Sequence, residues 1–411
     1  MARSAKPSHS GRHEPPFSLA KVGILARKLF IPLALLWLCG NGLRLTVLAV
    51  PPVIPLIHHD LHLSETGVAL LGSLPPLLFA VAAVPGSLLI ARLGAARALM
   101  AGLLLTAAGG AARGLAGDAL SLYAATIAMG AGVAVMQPTM PPLVREWAPH
   151  RIPFATAVYT NGLLVGETLP VAFTLPLVLP LFAGSWRWGL AFWSLPVLAT
   201  ALALALLGPK HVPHPKGAPP RRWWPDWNNG LLWRIAIMFG GTNTLYFATN
   251  TFLPDYLEAV GRGQWIGYAL TALNFGQLPA SVLMLAFAGK LVRHHYSYIG
   301  LGLLMGTSVA GMLLMPGAWV VWWAGLAGGA TAAVMTLLLA LPPVLVPHAD
   351  VPRFTAGIFT VSYSTAVVTP VLAGYLWDAT GNPAMAFLPA GLAVLAIVGF
   401  APTIGFKRRL G

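Results

Sequence analysis

Charge is what this sequence has least of. Of 411 residues only 11 are acidic and 9% are charged, while 57% are apolar. A water-soluble domain carries about a quarter of its residues as charge, so this balance excludes a chain bathed in water throughout and implies lipid as solvent. Cysteine is nearly absent too. The single Cys39 rules out an intrachain disulfide and a metal centre built on thiolates. Long stretches of alternating polarity are missing, which argues against a β-barrel. No phosphate-binding glycine loop, metalloprotease His-Glu pair or serine elbow occurs, so neither an ATP-driven pump nor a familiar hydrolase finds support. No cofactor, no metal and no enzymatic activity are expected.

Apolar runs are abundant instead. A spanning helix needs about 20 mostly apolar residues, and such a window finds twelve in this chain. The first half has them at about 29–57, 67–90, 96–114, 119–143, 154–182 and 189–208, and the second at about 231–254, 264–288, 298–316, 319–346, 354–377 and 384–404. The expected fold class is therefore all-α integral membrane, with twelve transmembrane helices. The 44 glycines and 36 prolines fit this reading, because membrane helices use both for close packing and kinks. The first run is long, lacks a small-residue cleavage site and leads into further spans, so it is expected to remain as helix one.

Lys and Arg collect on the cytoplasmic side of membrane proteins. Placing the N-terminus inside puts Arg3, Lys6, Arg12, Lys21, Arg27, Lys28, Arg92, Arg97, Arg145, Arg151, Lys210, Lys216, Arg221, Arg222 and Arg234 on that side. Lys290, Arg293, Arg353, Lys407, Arg408 and Arg409 join them, and only Arg113, Arg187 and Arg262 fall outside. Both termini are expected in the cytoplasm. The net charge of +14 thus reflects topology, and no nucleic-acid partner is expected.

The longest polar interruption, with Pro213, Pro215, Pro219 and Pro220 among Lys210, Lys216, Arg221 and Arg222, suits an extended linker. It divides the chain into a tail (1–28), a six-helix bundle (29–208), the linker (209–230), a second bundle (231–404) and a short tail (405–411). The halves match at an offset near 200: Phe154, Thr160, Pro170 and Val171 recur as Phe354, Thr360, Pro370 and Val371. Pro141 and Pro142 recur as Pro342 and Pro343, and Gly40 as Gly240. Two pseudo-symmetric bundles that enclose a midplane site and rock about it are expected.

In these features the chain resembles the major facilitator superfamily over all twelve helices. In that family the loop after helix two carries a Gly, Leu, Asp, Arg, Gly pattern followed by basic residues. Here Ser87, Leu89, Ala91, Arg92, Gly94 and Arg97 occupy those places, without the acid. The resemblance implies a gate loop at Arg92, Gly94 and Arg97, whose usual charge relay lacks its acidic member. Gly42-Leu43-Arg44, Ala131 to Val135, Pro142-Leu143-Val144 and Ser185-Trp186-Arg187 resemble the cyanate and nitroimidazole permease group more narrowly. That likeness implies transport of a small anionic or polar solute across a bacterial inner membrane, by a protein expected to be monomeric.

Candidate site residues follow from polarity inside the spans. Arg44 lies within the first, where a permanent charge is costly unless a partner or cavity receives it. Asn41, three residues earlier, shares its face, and the pair could grip a small anion. Glu167 on helix five is the only acid expected in the membrane, as ion-pair partner to Arg44 or as a proton-coupling carboxylate. An anion that displaced Glu167 from Arg44 would favour its protonation and link solute to proton. Helix seven aligns Phe239, Asn243, Tyr246 and Asn250, and helix eight Thr271, Asn274, Gln277 and Ser281. With a weaker stripe of Ser362, Thr365 and Thr369, these would form a neutral wall opposite Arg44. They could equally be interhelical hydrogen bonds.

Other features have plainer explanations. His58, His59, Asp60 and His62 read as a solvated loop rather than a metal site. The tryptophans at 186, 188, 193, 223, 224 and 227 suit interfacial belts. Gly130, Gly132, Gly325, Gly328 and Gly329 suit close helix packing. The expected function is secondary active transport of a small anionic or polar solute by alternating access, with Glu167 as the candidate for coupling to protons. The alternatives are export of neutral heterocyclic compounds and, more remotely, a transport-dead receptor or scaffold.

Overall fold

The computed structural model describes residues 19–63, 65–209 and 222–405. Residues 1–18 of the expected N-terminal tail, 406–411 of the C-terminal one and 210–221 of the expected linker lie outside these described residues, while 19–28 begin the helix Leu19–Gly42. Among the described residues eleven helices are long and apolar enough to cross a membrane. They are α1 (Phe30–Val53), α2 (Leu74–Leu93), α3 (Ala95–Leu115), α4 (Ala119–Trp147), α5 (Pro149–Leu181), α6 (Trp186–Leu207), α8 (Gly263–Leu291), α9 (His295–Leu314), α10 (Trp319–Leu345), α11 (His348–Thr380) and α12 (Pro383–Thr403). The remaining long helix, α7 (Gly230–Ala259), is less apolar because Thr242, Asn243, Thr244, Thr249 and Asn250 interrupt it. No strand occurs among the described residues.

The packing repeats itself. In the first half α1 packs on α5 and α6, α4 on α2 and α3, and α3 on α6. In the second, α7 packs on α11 and α12, α10 on α8 and α9, and α9 on α12. Every pair recurs six helices later, giving two pseudo-symmetric six-helix bundles. The main seams between them, α2 against α11 and α5 against α8, are also each other's counterparts. The helix ends bearing Arg92, Arg145 and Arg353 form the basic face, and those near His58 to His62 the histidine face.

One expectation needs correction. Helix one is not continuous from 29 to 57. Its first helical piece ends at Gly42, and the next, Leu45–Leu48, begins after Arg44, which has φ −130° and ψ −30°. Pro51 and Pro52 then remove two backbone donors, and the chain tightens through Pro51–Val53 before the short helix Ile54–Leu61.

Arg113, near the end of α3 toward the histidine face, is fully buried. Its NH2 donates to the Thr46 carbonyl at 2.8 Å. In a regular helix Val50 N–H would serve that carbonyl, but here it points to Val47 O at 3.5 Å. Arg113 thus supplies a donor that the broken first helix lacks.

Candidate functional site

The site is made by the crossing of α1 and α5. A Cβ at Gly162 would lie 2.2 Å from the Trp37 carbonyl oxygen, one at Gly166 2.5 Å from that of Asn41, and one at Gly40 2.2 Å from that of Tyr159. Only glycine allows the two backbones to come this close, which in lipid is how helices gain contact without a hydrophobic driving force. Glu167 follows Gly166 and Arg44 follows Asn41 by three residues. The crossing therefore brings their side chains together, with Arg44 Nε donating to Glu167 Oε1 at 3.0 Å.

Arg44 has further partners that lie far away in sequence. Its NH2 donates to the Tyr363 hydroxyl of α11 at 3.0 Å, and its Cζ lies 5.3 Å from the Phe79 ring centroid on α2. Phe79 and Tyr363 meet edge to face at 5.3 Å. The guanidinium is thus shared between the bundles. Arg44 is 8% exposed, and its third nitrogen, NH1, has no hydrogen-bond partner.

Arg44 and Glu167 line a cavity of about 490 Å³. Its wall also includes Phe79, Leu164, Tyr246, Asn250, Asn274, Gln277 and Tyr363, with Val50 and Ile54 toward the histidine face. Tyr246 donates to Asn274 Oδ1 at 2.7 Å, and Asn274 Nδ2 to Asn250 Oδ1 at 3.0 Å. Gln277 lines the same wall. Three of the expected polar residues of the second half, Tyr246, Asn250 and Asn274, therefore form one neutral network opposite Arg44.

Two expected members are elsewhere. Asn41 turns back onto the Trp37 carbonyl at 3.1 Å, because the α5 backbone covers its face of α1. Asn243 donates to the Ser362 carbonyl of α11 at 3.2 Å. Neither borders the cavity. The symmetry counterparts of the charged pair, 200 residues on, are neutral: Thr244 for Arg44 and Val367 for Glu167, and Thr244 lies 3.1 Å from Thr369 between Oγ1 atoms instead.

Toward the basic face the bundles are closed. Trp37 Nε1 donates to Asn161 Oδ1 at 2.9 Å, and Asn161 Nδ2 to Ser281 Oγ of α8 at 2.8 Å. Thr160 and Thr336 of α10 meet at 3.2 Å. At the rim, Arg145 of α4 donates to the Val346 carbonyl at the C-terminal end of α10, where the helix dipole favours a cation. Gly94 turns with φ 85°, as the expected gate loop requires. Arg92 and Arg97 are exposed, so the cross-bundle contact at the rim falls to Arg145.

At the opposite face Asp60 accepts from Arg187 and from Trp186 Nε1, the latter at 3.0 Å. These two donors hold its carboxyl below the usual carboxylate range, Arg187 contributing most. Asp60 thereby joins the end of α1 to the start of α6. Among the described residues no group of three or more His, Cys, Asp or Glu side chains is placed to hold a metal ion.

Tyr363, Phe79, Asn161 and Trp37 were not singled out by the sequence, since each gains its role from a partner on another helix. The glycine pair at 162 and 166 carried a readable signal, the small-residue spacing of four.

Two bundles around a cavity that holds a buried ion pair and an amide network in a mostly apolar wall, closed toward the basic face, have the architecture of a membrane transporter. The Major Facilitator Superfamily model matches residues 36–325, and the chain belongs to that family. It is 26% identical over 374 residues to the cyanate transport protein CynX of Escherichia coli (strain K12), covering 89% of this chain and 95% of that protein. It is 26% identical over 370 residues to the 2-nitroimidazole transporter of the same organism, covering 87% and 91%. Among solved structures, the superfamily transporter FucP in the outward conformation superposes with a TM-score of 0.70 at 15% identity, covering 92% of this chain and 99% of that one.

Proposed function

We propose that this transporter carries a small anionic or polar solute by alternating access, with Arg44 as the anion contact. The observation that carries the reading is Arg44 itself, a largely buried cation on the cavity wall with one nitrogen free of any partner. A guanidinium stays charged and directs its donors, so an anion can exchange water for charge-assisted hydrogen bonds there. The relative that transports cyanate supports it.

In this reading Glu167 neutralises Arg44 while the site is empty. An anion arriving at the guanidinium weakens the attraction holding Glu167 ionised, and a proton binds the carboxylate as the anion is taken. The Tyr246–Asn274–Asn250 network orients the solute from the other bundle. The bodies at 29–208 and 231–404 rock about the site, joined by the linker at 209–230. The positive-inside pattern makes the basic face cytoplasmic, both termini with it, in a bacterial inner membrane. The solute then enters this conformation from outside.

The test is uptake of labelled small anions and neutral heterocycles by proteoliposomes, with and without a proton gradient. Arg44→Gln is expected to cut anion uptake by about 100-fold, the scale of a lost charge-assisted bond. A folded Arg44→Gln protein that matched wild type on every anion would overturn the reading. A second reading, export of neutral heterocycles, is favoured by the aromatic wall of Phe79, Tyr246, Phe247 and Phe275 and by the nitroimidazole-transporting relative. It predicts uptake of neutral compounds only, indifferent to Arg44.

A further inference from the structure

The cavity carries charge at one point and mostly carbon elsewhere. Arg44 and Glu167 stand at its closed end, next to the seal on the basic face. From there toward the histidine face the first bundle offers Val47, Val50, Ile54, Leu71, Pro75 and Val171. Two threonines on this wall withhold their hydroxyls. Thr168 Oγ1 donates to the Leu164 carbonyl of its own helix at 2.9 Å, and Thr126 Oγ1 is buried. Along the helix Glu65–Leu93 the wall runs from Phe79, beside the guanidinium, to Leu71, about 12 Å at a rise of about 1.5 Å per residue.

The wall of the second bundle carries amides, and these are occupied with one another. Asn274 Nδ2 donates to Asn250 Oδ1 at 3.0 Å and to the Leu270 carbonyl at 2.9 Å. Its Oδ1 accepts from Tyr246 at 2.7 Å, and Asn250 Nδ2 donates to the Tyr246 carbonyl at 2.9 Å. Phe247, Leu270 and Phe275 add carbon around them. A solute lying here finds few donors or acceptors left to bond. Each hydroxyl it carried along its length would lose water with little to replace it.

From this we infer that the solute is an organic monoanion with an apolar, ring-sized body, its charged head at Arg44 and its body along the carbon wall toward the histidine face. The inference rests on Arg44 being the anion contact and adds the class of anion. A cavity of about 490 Å³ falls in the range that encloses drug-sized ligands, about 300–1,000 Å³. A triatomic anion would leave roughly a dozen waters against that wall, at about 30 Å³ each. An apolar body expels them, and that release favours binding. Sugars and polyols are disfavoured on the same ground.

The experiment is equilibrium binding to the purified full chain at about pH 7, where simple carboxylic acids are ionised. Acetate supplies the head alone, and cyclohexanecarboxylate the head on an apolar ring. Quinate is the same ring clothed in hydroxyls, and cyclohexanecarboxamide the ring without charge. Cyclohexanecarboxylate is expected to bind about 30-fold tighter than acetate and about tenfold tighter than quinate, the scale of a ring's apolar surface leaving water. Val171 is 47% exposed on the outer wall, and Val171→Asn should weaken cyclohexanecarboxylate about fivefold while acetate is unchanged. Acetate or quinate binding as tightly as cyclohexanecarboxylate, or a folded Val171→Asn protein that binds the ring acid as wild type does, overturns this inference and leaves Arg44 as the anion contact. The carboxamide binding as tightly as the acid, or Arg44→Gln keeping the acid at wild-type strength, overturns the functional reading itself. The wild-type comparisons among the probes decide both questions even where a variant does not fold.

Discussion

Gly166 faces the backbone of Asn41 so closely that a Cβ there would lie 2.5 Å from the Asn41 carbonyl oxygen. The residue after this glycine is Glu167, and the next turn of α1 holds Arg44. The one intramembrane ion pair at the site is therefore a product of a glycine contact.

Gly166→Leu is expected to force α1 and α5 apart and to abolish transport, with a marked drop in the thermal unfolding midpoint in detergent. Gly166→Ala should destabilise by about 1–3 kcal/mol, the usual range for overpacking. Unfolding midpoints equal to wild type for both variants would show that the crossing tolerates separation.

Asn161 joins Trp37 of its own bundle to Ser281 of the other. Asn161→Leu should loosen the seal on the basic face. On a Cys39→Ser background, a cysteine placed at Thr336 is expected to react several-fold faster with a membrane-impermeant maleimide supplied to the basic face. No change in labelling rate would assign the seal to the other contacts.

Transport is expected to depend on pH through Glu167 and not through Asp60. Asp60 has a lowered folded-state pKa, so its contribution to stability is fully present above the unfolded value of about 4 and is lost as pH falls through the folded value. Across about pH 5–8 it stays ionised in both states, and Asp60→Asn should leave the shape of the transport profile unchanged there. Glu167→Gln should flatten it. Identical pH profiles for Glu167→Gln and wild type would remove the carboxylate from proton coupling.

Arg113 gives one hydrogen bond to Thr46, while its Nε and NH1 are buried without a partner. Replacing it by Met loses the bond but relieves the unpaired cation, so the two effects oppose each other and stability should change little. The second piece of α1 loses its tether to α3, and with it the aim of Arg44. Arg113→Met is expected to raise the KM for anion uptake by about tenfold with Vmax nearly unchanged. A fall in Vmax alone, with KM unaltered, would give Arg113 a different part.

Hydropathy alone carried the class of fold, because lipid demands about 20 apolar residues for every crossing whatever their order. The repeat at an offset near 200 carried the two-bundle pairing, and the lone charges carried Arg44 and Glu167 as a candidate pair. Helical periodicity placed Tyr246, Asn250, Asn274 and Gln277 on common faces, which is a property of one helix at a time. Periodicity could not say which polar residue of a stripe meets the cavity, and Asn41 and Asn243 were claimed by neighbouring backbone instead.

Tertiary structure decided what depends on two helices at once. Arg44 stands in a break that Pro51 and Pro52 prolong, Arg113 is drawn inward by the carbonyl that break leaves unserved, and Tyr363 meets Arg44 across 319 positions of chain. The local pattern of residues specifies which segments enter lipid and which faces are polar, since those are transfer energies of single elements. Which atoms then pair is set by how closely the backbones pack, and at the centre of this protein that distance is set by Gly40, Gly162 and Gly166.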